Sequence, residues 1–233
     1  MTIANLALQR ELPQVLAPAS GGGVLDKFTS IYSFDDSLAL EKDDKGTTDL
    51  GVVGTPVSAT GTNNGGIQIT VDNSGYFTRN IDMTQDFSWS FWFMGQVEDF
   101  FAIIFRLDVG TFGNDNRVFL NIKDTPFEYK HSIEIGNTTV ADVTKAYTES
   151  EWWHYAGSWD SVNEQMTIWV NTVKDYDAAQ LGTGVSASAE VMRRSGGNPN
   201  AEFFIDELYI ADGQTLTQQD VDDLYNGGAG LFF

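Results

Sequence analysis

Hydrophobic positions in the middle of the chain recur at period two. Phe87, Trp89, Phe91 and Phe93 alternate with Ser88, Ser90, Trp92 and Met94, which sets four aromatic rings on one face of a strand and requires that face to be buried. Phe100 to Leu107 is an almost continuous apolar run, and at that length it predicts a central strand covered on both sides. Further strands are predicted over 67–71, 118–122, 129–135, 152–159, 166–173 and 203–210. Turn residues separate them, in Asn63-Asn64-Gly65-Gly66, Asn73-Ser74-Gly75, Gly113-Asn114-Asp115-Asn116 and Ser195-Gly196-Gly197-Asn198-Pro199. Many strands at short spacing predict an all-β domain of two packed antiparallel sheets.

The pattern changes at both ends. After the last predicted strand, Thr217 and Asp220 stand at capping-box spacing, with Asp where Glu is usual, and Leu216 and Val221 can form a hydrophobic staple. Gly227-Gly228 ends this short C-terminal helix, and Leu224 and Tyr225 are expected to fasten it to the sandwich edge. Residues 1–27 read as an extended N-terminal arm and glycine hinge. Ile3, Leu6, Leu8, Leu12, Val15 and Leu16 are interrupted by Pro13 and Pro18 and end in Ser20-Gly21-Gly22-Gly23. The sandwich is expected over 28–226, and 227–233 is a tail ending in Leu231-Phe232-Phe233.

Composition narrows the class. At 233 residues, 42% of them apolar, the chain can bury a sizeable core as one unit. Gly numbers 23 against 5 Pro, and aromatic residues make up 13%, which excludes disorder and favours β structure with many turns. Thirteen Lys and Arg against 33 Asp and Glu give a formal charge of −20, so a nucleic-acid partner, which needs a basic face, is not expected. Cysteine is absent, which removes disulfides and thiolate zinc sites. Arg10 and Glu11 break the apolar run that a secretory signal would need, and no stretch reaches the roughly 20 apolar residues of a membrane span. A soluble protein without membrane insertion is expected.

Three blocks together resemble a known family. Tyr76-Phe77 through Asp86-Phe87-Ser88-Trp89-Ser90-Phe91-Trp92-Phe93 is one. Trp152-Trp153-His154-Tyr155-Ala156-Gly157-Ser158-Trp159-Asp160, followed by Met166-Thr167-Ile168-Trp169-Val170-Asn171, is the second. Phe204-Ile205-Asp206-Glu207-Leu208-Tyr209-Ile210, then Leu216-Thr217-Gln218-Gln219-Asp220-Val221 and Leu224-Tyr225, is the third. In this order, over residues 31 to 226, they resemble the laminin-G-like domains of the concanavalin A-like lectin and glucanase superfamily. The resemblance implies a two-sheet antiparallel jelly-roll sandwich. The chain departs from the pattern at Thr172, where the family has the Gly of an Asn-Gly turn, so that hairpin is expected to be built differently. The fold hosts lectins, glycosidases, adhesion modules and virion proteins, and does not choose among them.

The candidate sites differ in their chemistry. The superfamily's glucanases are known for an Asp and two Glu at two-residue spacing on one strand. Here Glu202, Asp206 and Glu207 have the wrong period for acid and base to converge. There is no Gly-x-Ser-x-Gly elbow, and the two imidazoles are His131 and His154, the latter at a position the family fills for packing. No catalytic residue is assigned. Asp206 is expected on the strand face of Phe204, Leu208 and Ile210, where a buried carboxylate needs either calcium or backbone amides or an Arg such as Arg79. Asp108 with Asn114 and Asp115 forms a second oxygen-rich candidate. Trp153, Tyr155 and Trp159 share one strand face, and Trp169 with Tyr176 could extend it into a platform for pyranose rings, rimmed by Asp160, Asn163 and Asn171. The competing reading makes these rings core. Arg193-Arg194 stands in the Gly- and Ser-rich loop from Gly182 to Asn200, able to grip an acidic neighbour or simply exposed.

Two functions fit. The first is a non-catalytic virion structural protein, a bacteriophage capsid-decoration or tail component. It would display a lectin-like sandwich anchored to capsid or tail protein and sister subunits through Ile3, Leu6, Leu12, Phe232 and Phe233. The alternative is a soluble or surface-attached, extracellular carbohydrate-binding adhesion module. Host-surface polysaccharide is a partner common to both, and calcium is the one cofactor suggested.

Overall fold

The computed structural model describes residues 23–62, 65–69, 75–96, 101–109, 116–123, 128–135, 138–148, 150–177, 186–191 and 202–230. In chain order its strands are β1 Ser30–Tyr32, β2 Gly51–Val53, β3 Val57–Thr60, β4 Gly65–Ile69, β5 Tyr76–Asp82, β6 Phe87–Gln96, β7 Phe101–Val109 and β8 Asn116–Lys123. They continue as β9 Glu128–Ile135, β10 Thr138–Ala146, β11 Trp153–Asp160, β12 Gln165–Val170, β13 Val173–Asp177, β14 Ser186–Val191 and β15 Glu202–Asp212, followed by helix α1 Gln218–Tyr225. One sheet runs β13-β12-β11-β6-β15-β4-β3 with β1 beside β15, and the other runs β10-β9-β8-β7-β14-β5-β2. Neighbouring strands pair antiparallel throughout. The fold is an all-β, two-sheet antiparallel sandwich with one short helix.

The period-two aromatics of β6 form the centre of the core. Phe87, Trp89, Phe91 and Phe93 are fully buried and pack with Tyr155, Trp159, Ile168, Ile205, Leu208 and Ile210. Gly157 on β11 lies directly across from Trp89. A Cβ there would fall 2.0 Å from the indole, so the ring takes the space that any larger residue needs. The run from Phe101 to Leu107 lies in β7, flanked by β8 and β14, as a central strand.

The outward face of the first sheet is buried as well. Val24, Phe28, Ala156, Trp169, Tyr209, Ala211, Leu216, Val221 and Leu224 make a second apolar cluster on it. Helix α1 therefore lies on this face, where its sequence pattern had placed it at an edge. Tyr225 stacks on Trp92 with ring centroids 5.7 Å apart. The expected capping box forms. Thr217 Oγ1 accepts from Asp220 N at 3.3 Å, and Thr217 N donates to Asp220 Oδ2 at 2.7 Å. Asn226, in the left-handed region, ends the helix one residue before the expected glycines.

Several boundaries differ from the sequence pattern. Residues 24–27, assigned to the arm, form a 3-10 turn whose Val24 is buried against the sandwich, and Lys27 Nζ meets Asp220 Oδ2 at 2.6 Å. The expected loop from Gly182 to Asn200 contains β14, which joins β5 to β7 through small Ser and Ala residues with no apolar alternation. The predicted strand 166–173 is two strands joined by Asn171 and Thr172, with Val170 paired to Val173. Both loop residues have positive φ, 47° and 69°. The two-residue primed turn is thus kept without its glycine, and Thr172 is held in a conformation that β-branched residues rarely adopt. Ile3, Leu6, Leu12, Phe232 and Phe233 lie outside the described residues.

Candidate functional site

The aromatic platform does not form. Tyr155 and Trp159 are fully buried in the core, and Trp153 is half-buried against it. Trp159 Nε1 donates to the Met83 carbonyl at 3.1 Å, which leaves no polar edge for a sugar. Trp169 points to the other face of the sheet and donates to Gln218 Oε1 at 2.9 Å beneath α1. Asn171 Oδ1 accepts from His154 N at 2.8 Å and so serves the turn. Asp160 accepts from the amides of Val162 and Asn163. The face that carries Trp153, Tyr155 and Trp159 also carries Gly157, and all of them point at β6's rings across the same register. That is core geometry.

Asp206 is corrected in the same way. A bulge between Asp206 and Tyr209, with Glu207 at φ 53°, shifts the phase of β15. Phe203 and Ile205 point to the core before it, and Leu208 and Ile210 after it, so Asp206 does not share their face. Its Oδ2 accepts from Thr62 N at 2.6 Å and Thr62 Oγ1 at 2.7 Å, and its Oδ1 accepts from Glu207 N at 2.8 Å. Hydrogen-bond donors are the wrong neighbours for a cation, and among the described residues no cluster of three or more carboxylates and imidazoles is placed to hold a metal. Asp206 does not fit a calcium site. Asp108 lies in β7, paired with Arg117 and Ser188 in register, while Asn114, Asp115 and the Arg193-Arg194 pair lie outside the described residues.

Three buried ionisable groups have strong environments. Burial pushes the Glu207 carboxyl up to about 8, against the bond it accepts from Tyr209 Oη at 2.7 Å, and the nearby carboxylates of Asp206, Asp35 and Asp44 act in the same direction as burial. Burial likewise drives His154 down to about 3, so it is neutral, with Nε2 2.6 Å from Ser90 Oγ. At Asp43 burial alone would raise the pKa. Hydrogen bonds from the Thr47 hydroxyl and from the amides of Ile31, Thr48 and Lys45 outweigh it and hold the carboxyl at about 2. None of the three faces a partner acid or base across an open cleft. Asp43 instead shapes the loop that presents Thr48 and Asp49.

That loop forms one wall of a cleft of about 410 Å³ lined by Thr48, Asp49, Gly51, Thr78, Arg79, Asn80, Asp82, Gln85, Asp212 and Gly213. Its origin lies in the topology. Strand β2 pairs with β5 only from Gly51 to Val53, against Thr78 to Tyr76. Beyond Thr78 the β2 side of β5 is left open at one end of the sandwich. Arg79, 8% exposed, makes the floor. Its Nη1 donates to Ser30 Oγ at 3.0 Å and Tyr32 Oη at 2.7 Å, and its Nη2 donates to Asp212 Oδ2 at 2.6 Å. Its Nε is buried without an acceptor among the described residues. The rim is exposed and polar, with the amides of Asn80 and Gln85 and the carboxylates of Asp49, Asp82 and Asp212. Flat amides both donate and accept, and carboxylates accept at two oxygens, which suits vicinal hydroxyls. The sequence reading missed this cleft, because its members come from separate segments and none belongs to a motif.

No family model matches the chain, and no curated protein does. Solved structures do. The binding domain of botulinum neurotoxin serotype G matches over 86% of this chain and 51% of its own length, at 14% identity and a TM-score of 0.63. The serotype D ligand-binding domain, solved with N-acetylneuraminic acid, matches over 87% of this chain and 51% of its own, at 12% identity and 0.65. Domain 4 of AbnA, a GH43 extracellular arabinanase from Geobacillus stearothermophilus, solved with arabinotriose, matches over 84% of this chain and 97% of its own, at 19% identity and 0.58. The chain thus spans about half the length of the toxin domains and nearly all of the arabinanase domain. Sheet order, core and these superpositions agree that the chain has a two-sheet antiparallel β-sandwich fold shared with those domains.

Proposed function

We propose that the chain is a non-catalytic carbohydrate-binding module whose site is the cleft around Arg79. The observation that carries this reading is the cleft's construction, a rigid floor held by a buried guanidinium and a solvent-facing rim of amide, hydroxyl and carboxylate groups. Its volume of about 410 Å³ lies within the range of ligand pockets, roughly 300–1,000 Å³. The arabinotriose bound in one structural neighbour, matched over 97% of its own length, supports a carbohydrate ligand. Binding here would not depend on a stacking platform; it would rest on hydrogen bonds to hydroxyls, each contributing about 1 kcal/mol net. The test is a double variant, Asn80→Ala with Gln85→Ala, assayed for retention on immobilised polysaccharides. Retention is expected to fall about tenfold or more with an unchanged melting temperature, as the loss of two such bonds implies. Retention equal to wild type would overturn the assignment.

Display on a virion, as a bacteriophage capsid-decoration or tail component, turns on Ile3, Leu6, Leu12, Phe232 and Phe233, which lie outside the described residues. A displayed sandwich would point the same cleft at host-surface polysaccharide. Deleting residues 1–22 separates the two settings, since an anchored module loses its assembly state and a free one keeps it.

A further inference from the structure

Resting on the carbohydrate-binding reading, the charge layout of the cleft narrows its ligand class. We infer that the cleft accepts neutral glycans and rejects anionic ones such as sialylated, uronic or sulfated chains. Among the described residues that line it, Arg79 is the one cation, against the three carboxylates of Asp49, Asp82 and Asp212. An anionic sugar is gripped by a guanidinium through a fork of two parallel N–H groups. Both terminal nitrogens of Arg79 are already engaged, by Ser30 and Tyr32 on one side and Asp212 on the other, and the remaining Nε is buried. Lys42, a cation outside the lining, bonds Asp49.

Asp49 is held below the usual carboxylate range by the hydrogen bond from Lys42, and Asp82 by the hydroxyl and amide of Thr84. Both are therefore charged at neutral pH. A ligand carboxylate entering the cleft meets like charge at close range with no donor fork free to receive it. The molecule's formal charge of −20 adds an opposing field outside the cleft. A neutral sugar meets neither obstacle, because its hydroxyls donate to the carboxylates and accept from the amides of Asn80 and Gln85.

The experiment is retention of the full chain on two immobilised panels, arabinan, galactan and dextran as neutral polymers, polysialic acid, polygalacturonate and heparan sulfate as anionic ones, at about 10 mM and about 150 mM salt. Binding to at least one neutral polymer, tenfold or more tighter than to any anionic one at low salt, is expected. The gap should narrow with salt and in the Asp49→Asn, Asp82→Asn double variant. Anionic polymers retained as tightly as neutral ones at low salt would overturn this inference and leave the carbohydrate-binding reading standing. Retention on neither panel would overturn that reading, and this inference with it.

Discussion

At the residue scale, backbone strain and a displaced titration meet at Glu207. Glu207 occupies a left-handed conformation in a bulge and is buried among Asp206, Asp35 and Asp44. Its pKa is raised, to about 8 from the ordinary value of 4.5. The folded state therefore keeps a proton that the unfolded chain has already lost. That contribution to stability is complete below about pH 4.5 and disappears as pH rises through about 8. Glu207→Gln keeps the acceptor for Tyr209 and removes the ionisation, so its stability relative to wild type should grow by about 2–4 kcal/mol between pH 5 and pH 9. Melting curves across that range decide it, and parallel pH profiles for the two proteins would count against the assignment. Thr172 holds φ 69° in a two-residue turn. Thr172→Gly should raise stability by about 1 kcal/mol, seen as a higher urea midpoint with unchanged slope.

At the element scale the two sheets are clasped at both margins by polar contacts. At one margin Arg79 of β5 reaches Ser30, Tyr32 and Asp212 on β1 and β15. At the other, Asp175 of β13 accepts from Tyr129 Oη of β9 at 2.7 Å and pairs with Lys145 of β10. Arg79→Met keeps the volume but removes the guanidinium from Ser30, Tyr32 and Asp212, of which Tyr32 keeps its bond to the Thr48 carbonyl and Asp212 its bond from the Thr29 hydroxyl. A loss of about 1–2 kcal/mol is expected by chemical denaturation, because the Asp212 end of the pair is open to solvent, and a loss under 0.5 kcal/mol would show that the clasp is incidental. Helix α1 depends on Asp220, which closes the capping box and also holds Lys27 of the 3-10 turn. Asp220→Ala should cost about 2 kcal/mol and loosen the second apolar cluster, read as faster amide exchange at Val221 and Leu224.

At the scale of the whole molecule, charge opposes compaction. Thirty-three acidic against 13 basic residues leave −20 to be confined in one domain. Raising salt from about 10 mM to about 500 mM shrinks the screening length from about 30 Å to a few Å and should raise the melting temperature by about 3 °C or more. A melting temperature that is flat or falls would mean that the acidic surface is already compensated. Among the described residues no helix is long and apolar enough to cross a membrane.

The sequence alone determined the sandwich, because alternating aromatics in β6 and β11 can bury their rings only between two sheets, and it determined α1, because capping and staple residues are local in the chain. Which aromatics are core was open in one dimension; the register of β11 against β6 settled it by turning Trp153, Tyr155 and Trp159 inward. A bulge is equally invisible to a period count, which is why alternation puts Asp206 on the core face and the phase of β15 turns it away. The cleft was decided by tertiary structure alone. Thr48, Arg79 and Asp212 are distant in the chain and meet because β2 stops short and leaves β5 uncovered. Local patterns record which face of an element avoids water, whereas a cleft is made where elements end, and no local pattern encodes where one strand ends relative to another.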